Sequence, residues 1–146
     1  ILTEEQKQDF YKIFGEIADG VNIESVMSCW PEFELDGINV NMNRGLFGQE
    51  IKEVIVCPYV FYSMSINSTG LASACYLDWE RKLIIGDANK ETVKDIWNSK
   101  DMNDLRKLFL RKERKTHPIC KDCGQLTHGM PDNIDDYADE LLYKVK

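Results

Sequence analysis

Cys57-Pro58-Tyr59-Val60-Phe61, followed by Ser65-Ile66-Asn67-Ser68-Thr69-Gly70-Leu71-Ala72-Ser73-Ala74-Cys75, is the stretch that decides how the chain is read. Tyr59 to Ile66 and Leu71 to Leu77 are rich in aromatic, β-branched and small apolar residues. The Asn67-Ser68-Thr69-Gly70 tetrad between them is turn-forming, so the pattern predicts a β-hairpin. Cys57 then stands just before the first strand and Cys75 inside the second. An antiparallel return can bring these two cysteines together.

The second pair lies downstream. Pro118 forces a break, and Ile119-Cys120-Lys121-Asp122-Cys123-Gly124 follows as a tight loop. Two intervening residues let both sulfurs point at one ion or cluster edge, and backbone N–H groups can bond to the thiolates. The glycine permits the positive φ that such a turn often uses. A thioredoxin-like redox pair shares the Cys-x-x-Cys spacing, but no strand leads directly into this one. Two ligands cannot close a tetrahedral site, and Cys57 and Cys75 are the available completion. Their alternative reading, as small buried apolar residues, stays open on spacing alone. Cys29, beside Trp30-Pro31, reads as a packing residue, and His117 and His128 read as solvated loop histidines able in principle to replace a thiolate.

Composition narrows the class. The chain has 146 residues, 43% hydrophobic and 29% charged, with five cysteines and a formal net charge of −7. That balance can supply a core. The negative charge argues against a nucleic-acid partner held through phosphates. No stretch reaches the roughly 18 apolar residues of a membrane span, and the acidic start is not a signal peptide. An odd cysteine number without a secretory context speaks for thiolates in a reducing, cytoplasmic compartment, and against a disulfide framework. Ile1 in place of Met points to residues before it. The one basic run, Arg111-Lys112-Glu113-Arg114-Lys115, reads as a solvated face near a helix end, favoured by the helix dipole.

Along the chain, residues 3–18 carry a capping-box pair, Thr3 and Gln6, and Phe10, Ile13, Phe14 and Ile17 at helical spacing. Val21 to Val26 reads as a short strand, so the opening looks like half of an α/β unit. From Cys29 to Glu50 the chain is irregular, with a short strand expected at Ile38 to Val40. Gly86-Asp87 reads as a turn into a helix at 91–98, on which Val93, Ile96 and Trp97 share a face. A second helix is expected from Ser99 or Asp101 to Lys115, with Met102, Leu105, Leu108 and Phe109 inward. The tail ends in a helix carrying Ile134, Tyr137, Leu141 and Leu142.

Taken in order, these motifs resemble the SPASM domain, or its shorter twitch form, the auxiliary-cluster domain at the C-terminus of many radical S-adenosylmethionine enzymes. Cys57, twelve residues, Gly70, four residues and Cys75 match its opening spacing. Cys57-Pro58 followed by aromatics resembles its entry. Gly86-Asp87, the Ile96-Trp97-Asn98-Ser99 helix, Leu105-Arg106 and Cys120-x-x-Cys123 follow in the family's order, and the likeness covers residues 53–125. The resemblance implies that Cys57, Cys75, Cys120 and Cys123 bind one auxiliary [4Fe–4S] cluster. No cysteine follows Cys123, which fits the single-cluster form rather than the two-cluster one. Fully ligated iron favours electron transfer, substrate-pocket shaping or a structural role over direct substrate binding.

The resemblance also implies an organisation. The fold class is α+β: the last helix–strand element of a partial α/β barrel, then a small hairpin-plus-helices domain around the four cysteines. Residues 1–50 would be the barrel remnant and connection, 51–126 the iron–sulfur domain and 127–146 a helical tail. The catalytic Cys-x-x-x-Cys-x-x-Cys motif does not occur in the chain, so no catalytic residue is assigned. S-adenosylmethionine and the barrel would belong to a preceding part of a parent enzyme, whose substrate the residues do not reveal. The alternative is a structural four-cysteine module, with zinc or iron–sulfur, serving as a peptide or substrate recognition domain.

Overall fold

The computed structural model describes residues 2–27, 43–129 and 131–145. Cys29 and the expected Ile38 to Val40 strand lie outside them. The chain opens with helix α1, Glu4–Phe14. Its capping box is made as the residues predict: Thr3 Oγ1 accepts the Gln6 amide at 3.2 Å, and Gln6 Oε1 accepts the Thr3 amide at 2.8 Å. No residue of α1 is buried. Ile13, Phe14 and Ile17, expected to point inward, are 59%, 42% and 77% exposed. Residues 21–27 take no strand; Ser25 N–H bonds the Leu46 carbonyl at 2.7 Å. Strand-forming residues without a neighbouring ladder leave their backbone groups to water, which removes the reason to be a strand.

A three-stranded antiparallel sheet follows, β1 (Ser65–Ile66), β2 (Leu71–Ser73) and β3 (Ile84–Asp87), in the order β1-β2-β3. The predicted turn joins β1 to β2: Gly70 N–H reaches the Asn67 carbonyl at 3.0 Å, Asn67 Oδ1 accepts the Thr69 amide at 2.8 Å, and Gly70 has φ +88°. The hairpin is shorter than expected. Tyr59–Phe61 form a 3-10 turn instead of strand, because Pro58, at φ −78° and ψ −22°, already sits in the helical region and starts it. Cys75 lies just past β2 rather than within it. A register irregularity between Ala72 and Ser73 shifts the pairing near the end of β2, where Ser73 still faces Ile84. Gly86-Asp87, read as a turn, belongs to β3, and the turn comes one step later, where Lys90 N–H bonds the Asp87 carbonyl at 2.9 Å.

Helices α2 (Val93–Trp97) and α3 (Lys100–Leu110) stand where the periodicity predicts, each with its own cap. Thr92 accepts from the Asp95 amide and Ser99 from the Met102 amide, each at 3.2 Å. Val93 is exposed, and Ile96 is the fully buried residue of α2. Helix α3 stops earlier than expected, at Leu110, because Lys112 turns into the left-handed region at φ +62°. A 3-10 turn, Arg114–Thr116, follows. Two short helices complete the chain, α4 (Gln125–His128) and α5 (Ala138–Lys144).

Val56, Val60, Ala72, Ala74, Ile85, Ile96, Met102, Leu105, Phe109, Leu110 and Ala138 form one apolar core. Each large side chain buried there contributes about 1.5–3 kcal/mol relative to exposure. The tail joins this core through Ala138, with Ile134, Leu141 and Leu142 packed against it. Arg106, also buried, crosses the core edge. Its Nε donates to the Val60 carbonyl, its Nη1 to Trp97 O and Asn103 Oδ1, all at 2.9 Å, and its guanidinium lies 4.3 Å from the Trp97 ring centroid. The 3-10 turn after Cys57 is thereby fastened to α2 and α3. No helix of the described residues is long and apolar enough to cross a membrane.

Candidate metal centre

Three separate pieces of backbone deliver the four cysteines. Cys57 enters from an extended segment whose amides are held by the tail: Asp135 Oδ1 accepts from Val56 N at 2.8 Å, and Asp135 Oδ2 from Ile55 N at 3.0 Å. Cys75 leads a loop organised by Asp78. Its carboxylate accepts from Ser73 Oγ at 2.7 Å, Lys82 N at 2.8 Å and Leu83 N at 2.7 Å, a local network that replaces strand pairing beyond β2. Cys120 and Cys123 sit in the predicted knuckle, where the Cys123 amide bonds the Cys120 carbonyl at 3.3 Å.

All four are free thiols, and all four line one small apolar cavity together with Tyr59, Leu83, Leu105, Phe109, Arg114 and Leu126. Its ≈ 30 Å³ exceeds the roughly 10–15 Å³ that a single water needs. The hairpin cysteines share a local device. Each accepts the amide two residues on, Tyr59 for Cys57 and Leu77 for Cys75, the latter at 3.4 Å to sulfur. Two chain segments that are not the Cys-x-x-Cys loop therefore make the same N–H···S contact that a metal knuckle makes.

The electrostatics of the set are informative. Burial pushes the Cys57 and Cys120 thiols up to about 12 and the Cys75 thiol up to about 11. The neighbouring sulfurs raise them further: Cys57 feels Cys75 and Cys123, and Cys120 feels the other three. Amide bonds and the Arg114 guanidinium pull the other way. Thiolates gathered this closely in an apolar pocket repel one another, and only a multiply positive guest would let them ionise together. The donor set therefore fits a metal centre held by thiolates. Among the described residues, no three His, Cys, Asp or Glu side chains are grouped as a ligand set for a metal ion.

Residues 57–124 match the family model of SPASM, an iron–sulfur cluster-binding domain. The match runs from the first hairpin cysteine to the glycine after the second knuckle cysteine. The chain is also similar to an S-adenosyl-L-methionine-dependent 2-deoxy-scyllo-inosamine dehydrogenase from Niallia circulans, 24% identical over 62 residues, which are 42% of this chain. It spans one quarter of that relative's length. A crystal structure of selenomethionine BtrN in an open conformation aligns with 47% of this chain and 32% of its own, at 22% identity and a TM-score of 0.45.

Two histidines read as solvated are otherwise placed. His117 is half-buried, 6.5 Å between ring centroids from Phe109, and its Nδ1 accepts the Ile119 and Cys120 amides at 3.3 Å each. Burial holds its pKa below the ordinary value, which keeps Nδ1 an acceptor. His128 is buried on α4, and its carbonyl accepts the Leu46 amide at 2.7 Å. Gln125 adds a bond from its side chain to the Tyr59 hydroxyl at 3.1 Å, linking α4 to the cavity wall. Spacing did not single out Asp78, Asp135, His117 or Arg114. Each acts on backbone groups, and the nearest signal in the sequence was a polar residue beside a cysteine segment.

Proposed function

We propose that Cys57, Cys75, Cys120 and Cys123 are the ligands of one [4Fe–4S] cluster, and that the chain is the auxiliary-cluster part of a radical S-adenosylmethionine enzyme. The observation that carries this reading is the shared cavity: four free thiols from three backbone segments line it together. The match of residues 57–124 to an iron–sulfur cluster-binding domain supports iron and sulfide over a single tetrahedral zinc as the guest. Bound there, the cluster would store or pass a single electron, at a potential set by burial, charge and bonds to sulfur.

The residues around it have assigned work in this account. The Tyr59 and Leu77 amides favour the thiolate forms, His117 orders the knuckle, and Leu83, Leu105, Phe109 and Leu126 exclude water. Four protein ligands leave no iron open, so the role is electron transfer or shaping of a pocket rather than binding substrate to iron. Residues 1–50 would be the end of the parent's partial barrel with its connection, residues 51–126 the cluster domain and 127–146 its tail. The exposed apolar face of α1 supports a missing neighbour there. S-adenosylmethionine and the substrate would bind in that parent.

Cysteine replacement tests the ligand set. Anaerobically reconstituted wild-type chain should be brown, with thiolate–iron absorption near ~400 nm. Cys57→Ser, Cys75→Ser and Cys120→Ser should each lose most of the iron, and Cys29→Ser should keep it. Full iron content in Cys75→Ser would refute the four-ligand assignment, and a colourless protein with one zinc would favour the structural module.

A further inference from the structure

The basic run at 111–115 is not uniform. Arg111, Lys112 and Lys115 are exposed, whereas Arg114 is half-buried and lines the thiol cavity. The left-handed turn at Lys112 brings it there. The Lys112 amide bonds the Phe109 carbonyl at 2.8 Å and the Glu113 amide bonds Leu108 O at 3.1 Å, which reverses the chain at the end of α3. The Arg114 guanidinium then spans the two halves of the thiol set. Its Nε donates to the Ile55 carbonyl at 3.3 Å, two residues before Cys57. Its Nη1 donates to the carbonyl of Cys120 itself and, at 3.4 Å, to that of Lys121. Among the described residues no carboxylate forms an ion pair with it. Its charge faces the sulfurs unneutralised.

We infer that Arg114 is the positioning residue of the metal centre: its fork ties the Cys57 segment to the Cys120–Cys123 knuckle, and its charge raises the reduction potential of the group held there. This rests on the four-thiol reading above. A planar guanidinium can bond carbonyls on two segments at once, which an ammonium on a flexible stem does poorly. Reduction adds one electron from an external one-electron donor, such as dithionite in the test, and makes the thiolate-bound group more negative. An unpaired cation at the cavity wall stabilises that form more than the oxidised one.

The test is a dithionite redox titration of anaerobically reconstituted chain, followed by the cluster's electron paramagnetic resonance signal. It compares wild type with Arg114→Gln, Arg114→Lys and Arg111→Gln. Arg111→Gln removes the same formal charge from an exposed position three residues away. Arg114→Gln should shift the redox equilibrium at least tenfold toward the oxidised form, about 59 mV for one electron. Arg111→Gln should leave it at the wild-type value. Arg114→Lys should return most of the shift while lowering thermal stability, since it keeps the charge and loses the fork. A wild-type midpoint in loaded Arg114→Gln overturns the inference. Should the glutamine variant not load, Arg114→Lys decides: a near-wild-type midpoint supports the charge role and a tenfold shift overturns it. A wild-type chain that takes up neither iron nor sulfide would defeat the four-thiol reading itself, and the inference with it.

Discussion

At His117 the imidazole Nδ1 accepts two amides of the knuckle, those of Ile119 and Cys120, while the ring packs edge-on to buried Phe109. Only the neutral ring can do this, and burial lowers its pKa accordingly. The sign follows from linkage. With the folded-state value below the ordinary 6.5, the unfolded chain takes up the proton first. The stabilisation is therefore whole above about pH 6.5 and is lost as pH falls through the folded value. Two long backbone bonds are together worth about 1–2 kcal/mol. Hydrogen exchange at the Ile119 and Cys120 amides, corrected for intrinsic rates, should show protection falling between about pH 7 and 5. His117→Phe should remove that dependence. Protection independent of pH in the wild type would contradict the role.

Among the elements, β3 and α2 pack closely at Gly86. A Cβ on Gly86 would stand 2.8 Å and 2.9 Å from the two γ carbons of Ile96, which is fully buried. Gly86→Ala should therefore destabilise the domain by about 1–3 kcal/mol, by overpacking a side chain that cannot yield. Gly20→Ala meets nothing within 4 Å and should be neutral. Urea unfolding midpoints check both, and equal midpoints for the two variants would refute the packing account. The same elements mark what could be read from residues alone. The Asn67–Gly70 turn, the caps Thr3, Thr92 and Ser99 and the inward face of α3 were legible because each is encoded within a few residues. The extent of β1 and β2, the strand at Gly86-Asp87 and the end of α3 were not. They depend on Pro58 starting a 3-10 turn, on the irregularity at Ala72 and Ser73, and on a lysine taking a left-handed conformation. The gathering of the four cysteines at one cavity was legible because such residues are sparse and their spacing is distinctive. Arg114, His117 and Asp135 were not, since their bonds to Ile55, Cys120 and Val56 go to backbone atoms that no spacing rule records.

Across the whole molecule, the thiol cavity and the apolar core are continuous. Leu105 and Phe109 of α3 belong to both. Cys57 and Cys120 pack against the same core, and Asp135 fastens the tail to the segment entering Cys57. Metal binding should accordingly be coupled to folding of residues 53–145 rather than to a local loop. Chelation under reducing conditions should lower the thermal midpoint of the whole domain, while α1, which buries nothing, contributes little to the transition. The measurement that tests the central claim most directly is iron and acid-labile sulfide per chain in anaerobically reconstituted protein. The account predicts about four of each per chain in the wild type, as one [4Fe–4S] cluster requires, with both lost together in Cys75→Ser. One tightly held metal ion per chain without sulfide would contradict it.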